Sequence, residues 1–363
     1  MPFSGPIGER IAYTAEGDGP PLILLHGFGA SSAAFALNIP ELSRRFAVIA
    51  VDLLGHGGSD GPIDAAAYGV TPSIKRIDAL LDELGYASAM FCGHALGGAL
   101  ALRYALERPD RVTGVVILNS TAAVAPESWR AGAWPSVLAL AERVEDEGTG
   151  WLYGTRLNPA NDVSLPPAMR ARLGVAFQQL EPHALAGTAE NLVVDVNPGE
   201  LLPALEVPVL LIIGDGDSEF AHHAGGFVDR VPGGLVSTIT LAGAGHAAQI
   251  DDPRGFEAAL TGFAERLGYI TERRARSFVG AGLVATGAAL IVGGIAMLAS
   301  AALTNPGDST TPAAASGGLP TQVAGESVAA TRTPTQRLSS AVATAPARAS
   351  TTPSSGATPS ATA

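Results

Sequence analysis

The sequence predicts an α/β domain, a mostly parallel sheet with helices on both faces and a helical cap, followed by one C-terminal transmembrane helix. Three observations point there. Six short runs rich in Val, Ile and Leu alternate with stretches of helical spacing, the mark of strands buried on both sides and connected by helices. The strand signal then vanishes over residues 121–190. Finally, residues 278–303 form a 26-residue stretch without a charge.

Residues 7–15 read as an antiparallel edge hairpin. The parallel strands follow at 21–25, 46–51, 87–92, 112–118, 208–213 and 236–241. Helix 73–84 places Ile74, Ile77, Leu80, Leu81 and Leu84 on one stripe, the spacing of a half-buried helix. A second helix starts after Ala95 and runs to Glu107, where Pro109 stops it. The interval 121–190 holds all three Trp, several Pro and scattered helical patches. An insertion there would cover the carboxyl ends of the strands, where open α/β sheets bind ligands. The expected organisation is a core in two parts (1–120 and 191–270) around a cap (121–190). A basic juxtamembrane segment (271–277), the transmembrane helix (278–303) and a disordered tail (304–363) complete it.

A helix over the 26 uncharged residues covers about 39 Å, enough to cross a hydrocarbon core of about 30 Å with tilt. Arg273, Arg274 and Arg276 precede it, and the next basic residue is Arg332. The positive-inside rule then places the N-terminal domain in the cytoplasm and the tail outside, as in a single-pass cell-membrane protein. Residues 1–17 contain no apolar run of signal-peptide type. In the tail, 42 of 60 residues are Ala, Thr, Ser or Pro and none is aromatic, too little apolar surface to offset the entropy of ordering. The net charge is −12 and the tail contributes +1, which leaves −13 before it. No basic face is available to neutralise phosphates, so nucleic acid is excluded as the main partner. Cys92 is the only cysteine, which rules out an internal disulfide and a thiolate-rich metal site.

Five segments follow the expected strands in order. They are His26-Gly27-Phe28-Gly29, Asp52-Leu53-Leu54-Gly55-His56-Gly57-Gly58-Ser59-Asp60, Gly93-His94-Ala95-Leu96-Gly97-Gly98, Gly214-Asp215-Gly216-Asp217 and Gly243-Ala244-Gly245-His246. Together they resemble the α/β-hydrolase superfamily, in its capped esterase, lipase and C–C-hydrolase branch, over about residues 7–267. The resemblance implies a small hydrophobic acyl or carbonyl ligand and no cofactor.

In that family the sharp strand-to-helix turn reads Gly-X-Ser-X-Gly, with the serine as nucleophile. Gly93, His94 and Gly97 supply the elbow, and Ala95 occupies the nucleophile position. A methyl group cannot attack a carbonyl. The resemblance assigns His246 as general base and Asp217 as the acid that orients it, with Asp215 as competitor. It gives the oxyanion hole to the backbone N–H groups of Phe28 and Leu96. His26, Asp52 and His56 match structural turn residues, and His94 reads as packing. Cys92 lies three residues before Ala95, where a side chain points into the sheet's packing. His222 and His223 are adjacent on a helix and do not face one point, so no metal site is expected.

Three readings of Ala95 stay open. The chain keeps chemistry that needs the His246–Asp217 base and the oxyanion hole without a nucleophile. Or it is a non-catalytic relative that binds a ligand or partner. Or Ala95 is a deliberate Ser-to-Ala exchange in an active esterase.

Overall fold

Eight strands form one sheet in the computed structural model, which describes residues 1–155, 158–163 and 165–271. They are β1 (Phe3–Ser4), β2 (Ile11–Glu16), β3 (Pro21–Leu25), β4 (Ala47–Val51), β5 (Ala89–His94), β6 (Val112–Leu118), β7 (Val209–Gly214) and β8 (Val236–Leu241). Their spatial order is β1-β2-β4-β3-β5-β6-β7-β8. β1 and β2 are antiparallel, and β2 pairs antiparallel with β4. The strands from β3 onward are parallel.

Side chains alternate between two cores, as the period of two demands. Ile23, Leu25, Ile49, Val51, Phe91 and Leu211 face one side, with apolar residues of α1 (Val70–Glu83), α2 (Leu96–Glu107) and α6 (Ser218–Val228). Leu22, Leu24, Val48, Ala50, Met90 and Leu210 face the other, against α7 (Pro253–Arg266). Each of these side chains larger than alanine contributes about 1.5–3 kcal/mol when taken out of water. Burial on both faces is why these strands lack polar alternation.

Between β6 and β7 the described residues form helices and connecting loops. α3 (Glu127–Glu147), α4 (Pro167–Gln178) and α5 (Pro182–Thr188) pack Val144, Phe177, Leu180 and Leu185 into an apolar cluster of their own. Phe28, from the loop after β3, packs against it.

Some boundaries differ from those expected. The edge hairpin pairs Phe3 with Ala12 and Ser4 with Ile11, so Ile7 falls in the turn, 90% exposed. Gly5 and Gly8, both at positive φ, bend the chain there. Helix α1 begins three residues before Ser73, because Pro72 sits in the first turn, where its missing N–H is not needed. β5 runs on through Gly93 and His94, which pair with Ile117 and Leu118.

After α7 the chain turns under the starting ends of the strands. The Tyr269 hydroxyl donates to the carbonyl of Pro21 at 2.7 Å, Arg45 pairs with Glu265 at 2.7 Å, and Arg45 also donates to the Thr271 carbonyl. The expected transmembrane helix, the tail and all of 271–277 except Thr271 lie outside the described residues. Among the described residues no helix is long and apolar enough to cross a membrane.

Candidate active site

The turn from β5 into α2 is built by glycines. A Cβ on Gly93 would lie 2.2 Å from the Gly97 backbone, and one on Gly97 would lie 2.2 Å from the Leu25 carbonyl oxygen. Their absence lets the helix start directly on the strand and lean against β3. At the apex Ala95 adopts φ 47° and ψ −117°, a conformation that costs an L-residue of order 1–3 kcal/mol. Surrounding bonds hold it there. Its N–H donates to the Leu118 carbonyl at 3.1 Å, and its own carbonyl accepts from Gly98 N–H at 3.0 Å and from the Ser120 hydroxyl.

The loop after β3 lies over this turn. A Cβ on Gly27 would sit 3.1 Å from the Ala95 methyl and 3.3 Å from His94 Nδ1. Neither the Phe28 nor the Leu96 N–H has an acceptor among the described residues. His26, Asp52 and His56 are buried beneath the loop and hold its shape. His26 Nδ1–H donates to the Gly27 carbonyl at 2.7 Å, and its Nε2 accepts from Leu53 N–H at 2.9 Å. His56 Nε2 accepts from Gly29 N–H at 3.2 Å, and Asp52 accepts from Ser32 and Gly58 N–H. Burial pushes both imidazoles down, His56 to about 3 with a further push from His26. They are neutral scaffold.

Asp217 caps α6 and accepts from Phe220 N–H at 3.3 Å through Oδ1. Its Oδ2 accepts from His246 Nδ1 at 2.7 Å. Asp215 points elsewhere and accepts from Gly243 N–H at 2.8 Å. The structure therefore brings together His246 and Asp217, not Asp215. Burial alone would raise the Asp217 carboxyl. The hydrogen bond and charge of His246, with the Phe220 amide, outweigh it and hold the group below its ordinary value. An ionised Asp217 can only accept, so the proton between them sits on Nδ1 and Nε2 is free to accept one.

His94 is buried, its ring centroid 4.8 Å from that of His246, and its Nε2–H donates to the His246 carbonyl at 2.9 Å. Burial, then the neighbouring His246, pushes it to about 3. Cys92 is fully buried in the second core and its thiol is pushed up by burial. The His222 and His223 rings meet edge to face at 4.9 Å, and no group of three metal-ligating side chains occurs among the described residues. Asn119, Ser120 and Asp251 surround the site without having been singled out in the sequence. The first two follow β6 directly, and that position at a strand's carboxyl end is the one signal that marks them.

A cavity of about 600 Å³ lies elsewhere, with Arg103, Glu127, Arg130, Asp195 and Glu200 in its lining and none of Ala95, Asp217 or His246. Its Arg130 is already paired with Glu127 and Asp195.

A sequence model for the alpha/beta hydrolase fold matches residues 20–253, and the chain belongs to that family. Among curated relatives, the magnesium-chelatase 30 kDa subunit of Rhodobacter capsulatus is 42% identical over 112 residues, 31% of this chain and 39% of that protein. A haloalkane dehalogenase of Mycolicibacterium paratuberculosis is 29% identical over 260 residues, 69% of this chain and 85% of that enzyme. The solved structure of a thermophilic esterase from Thermogutta terrifontis superposes with a TM-score of 0.62 at 23% identity, covering 71% of this chain and 94% of that one.

Proposed function

We propose that this chain is a membrane-anchored member of the family that binds a hydrophobic acyl or carbonyl compound over Ala95 and acts on it through the base His246, with no covalent step at residue 95. The observation that carries the reading is the 2.7 Å contact between His246 Nδ1 and Asp217, kept in a site whose turn offers no hydroxyl. Ionised Asp217 fixes the tautomer and would stabilise the imidazolium that forms. Nε2 then takes a proton from water, whose oxygen adds to the carbonyl carbon, or from a carbon next to the carbonyl. Negative charge develops on the carbonyl oxygen in either case, and the N–H groups of Phe28 and Leu96 would receive it. Without a nucleophile such a site is left with about 10³–10⁴ over water, so turnover is slow. The apolar packing of Phe28 against the cluster that contains Phe177 and Leu180 supports a hydrophobic ligand. The uncharged stretch 278–303 behind three arginines supports a single span with the domain on the cytoplasmic side.

Ala95 itself favours a second reading, a ligand- or partner-binding protein without turnover. Ala95→Ser separates the possibilities. Loss of the nucleophile in such a triad costs about 10⁶ in turnover, so its return is expected to raise hydrolysis of short p-nitrophenyl esters by several decades and to allow labelling by a fluorophosphonate. A variant that neither labels nor hydrolyses means that the pocket has diverged further than its motifs suggest, and the binding reading then leads. An acyl ester that stabilises the chain yet stays unchanged for hours, with His246 or with His246→Ala, puts the binding reading in place of the catalytic one. A deliberate exchange of serine for alanine predicts the same gain with no turnover before it. Tags on intact cells should show residues beyond 303 outside and the N-terminus protected.

A further inference from the structure

Asn119 is the first residue past β6, and its backbone is left-handed, with φ 43°. Asparagine tolerates that region where branched residues do not. The side chain is fully buried and both ends of its amide are engaged. Oδ1 accepts from Gly214 N–H at 2.9 Å, and Nδ2 donates to the Gly245 carbonyl at 2.7 Å. Gly214 ends β7, the strand that delivers Asp217 three residues later, and Gly245 immediately precedes His246. The Gly245 turn folds back over Gly214. A Cβ on Gly214 would lie 2.2 Å from the Gly245 oxygen and 3.0 Å from Asn119 Nδ2, so only glycine leaves room for the bridge.

We propose that Asn119 is a positioning residue for the Asp217–His246 pair: its amide ties the strand end that carries the acid to the turn that carries the base. The inference rests on the base role given to His246 above. The turn is also held from other sides, by Asp251, which accepts from Gly245 N–H at 2.7 Å, and by His94, which donates to the His246 carbonyl. Removing the Asn119 amide therefore loosens one tie and leaves the turn in place. Few side chains can substitute, because the bridge needs a donor and an acceptor on one short planar group. Aspartate keeps the acceptor for Gly214 and turns a carboxylate oxygen on the Gly245 carbonyl. Glycine keeps the left-handed backbone and removes both bonds.

The test is proton NMR of the full chain, labelled with ¹⁵N-histidine and held in detergent at pH 7. The readout is the downfield Nδ1–H resonance of His246, identified by its loss in His246→Gln. Asn119→Gly and Asn119→Asp are expected to lose this resonance while the chain melts cooperatively, and Ser120→Ala is expected to keep it. If Asn119→Gly does not fold, Asn119→Asp decides. A resonance unmoved in both folded Asn119 variants overturns the positioning role and leaves the pair intact. A resonance missing from the unsubstituted chain overturns the pair itself, and both proposals with it.

Discussion

Ala95 and Asn119 are the two non-glycine residues at positive φ among the described residues, and each directly follows the last pair that joins β5 to β6, His94 with Leu118. The strain at Ala95 has a measurable consequence. Glycine reaches φ 47° without penalty, and relief of roughly 1–3 kcal/mol of strain exceeds the 0.4–1 kcal/mol that glycine adds to unfolded-chain entropy. Ala95→Gly should therefore stabilise the domain by about 1 kcal/mol, or raise Tm by roughly 2–4 °C. A lower Tm would mean that the methyl group packs better than its conformation suggests. Gly93, Gly97 and the Gly-x-Gly-His turn were legible in the sequence because each motif is local. Asn119, Ser120 and the hydrogen bond of His94 were not. Their partners lie 126, 25 and 152 residues away, and no local pattern encodes such contacts.

At the scale of elements, two glycines in helices predict opposite outcomes. A Cβ on Gly97 would strike the Leu25 and His26 carbonyl oxygens at 2.2 and 2.6 Å, so Gly97→Ala must lift α2 from β3. The cost should be about 3 kcal/mol, at the top of the usual range for overpacking. Gly132, in the exposed part of α3, meets nothing within 4 Å. Gly132→Ala should gain up to about 1 kcal/mol from helix propensity. Denaturant midpoints of the two variants should move in opposite directions, and a shared direction would refute the packing argument. The contrast also shows which elements were readable. Strands buried on two faces announce themselves as apolar runs, and β3 and β6 begin and end where those runs do. α3 buries only Ala141 and Val144 of its 21 residues, so no amphipathic stripe marks it. It packs against α5, a contact that is invisible locally.

For the domain as a whole, the buried histidines set the response to acid. His56 and His94 are pushed from about 6.5 to about 3 by burial and by a neighbouring imidazole. Below about 6.5 the unfolded chain takes up protons that the folded chain refuses, so their contribution is complete above that pH and is lost as pH falls towards 3. Each group removes up to about 1.4 kcal/mol per pH unit in that window. The Asp217 carboxyl, held low, adds its own loss only as pH falls below the ordinary carboxylate range. Set against a typical stability of about 5–15 kcal/mol, the two histidines predict cooperative acid unfolding with a midpoint near pH 4, measured by circular dichroism. A domain still folded at pH 3 would refute it. The route by which the chain leaves the domain has a mechanical consequence. Thr271 emerges beside Arg45 and the Tyr269–Pro21 contact, where the parallel strands begin, whereas Ala95 sits where they end. The six residues of β5 separate the two by about 20 Å. A pull along the chain past Thr271 loads the floor of the sheet first. The contacts of Tyr269 and Arg45 would then take the load before any strand does, and the turn at Ala95 would feel the force last.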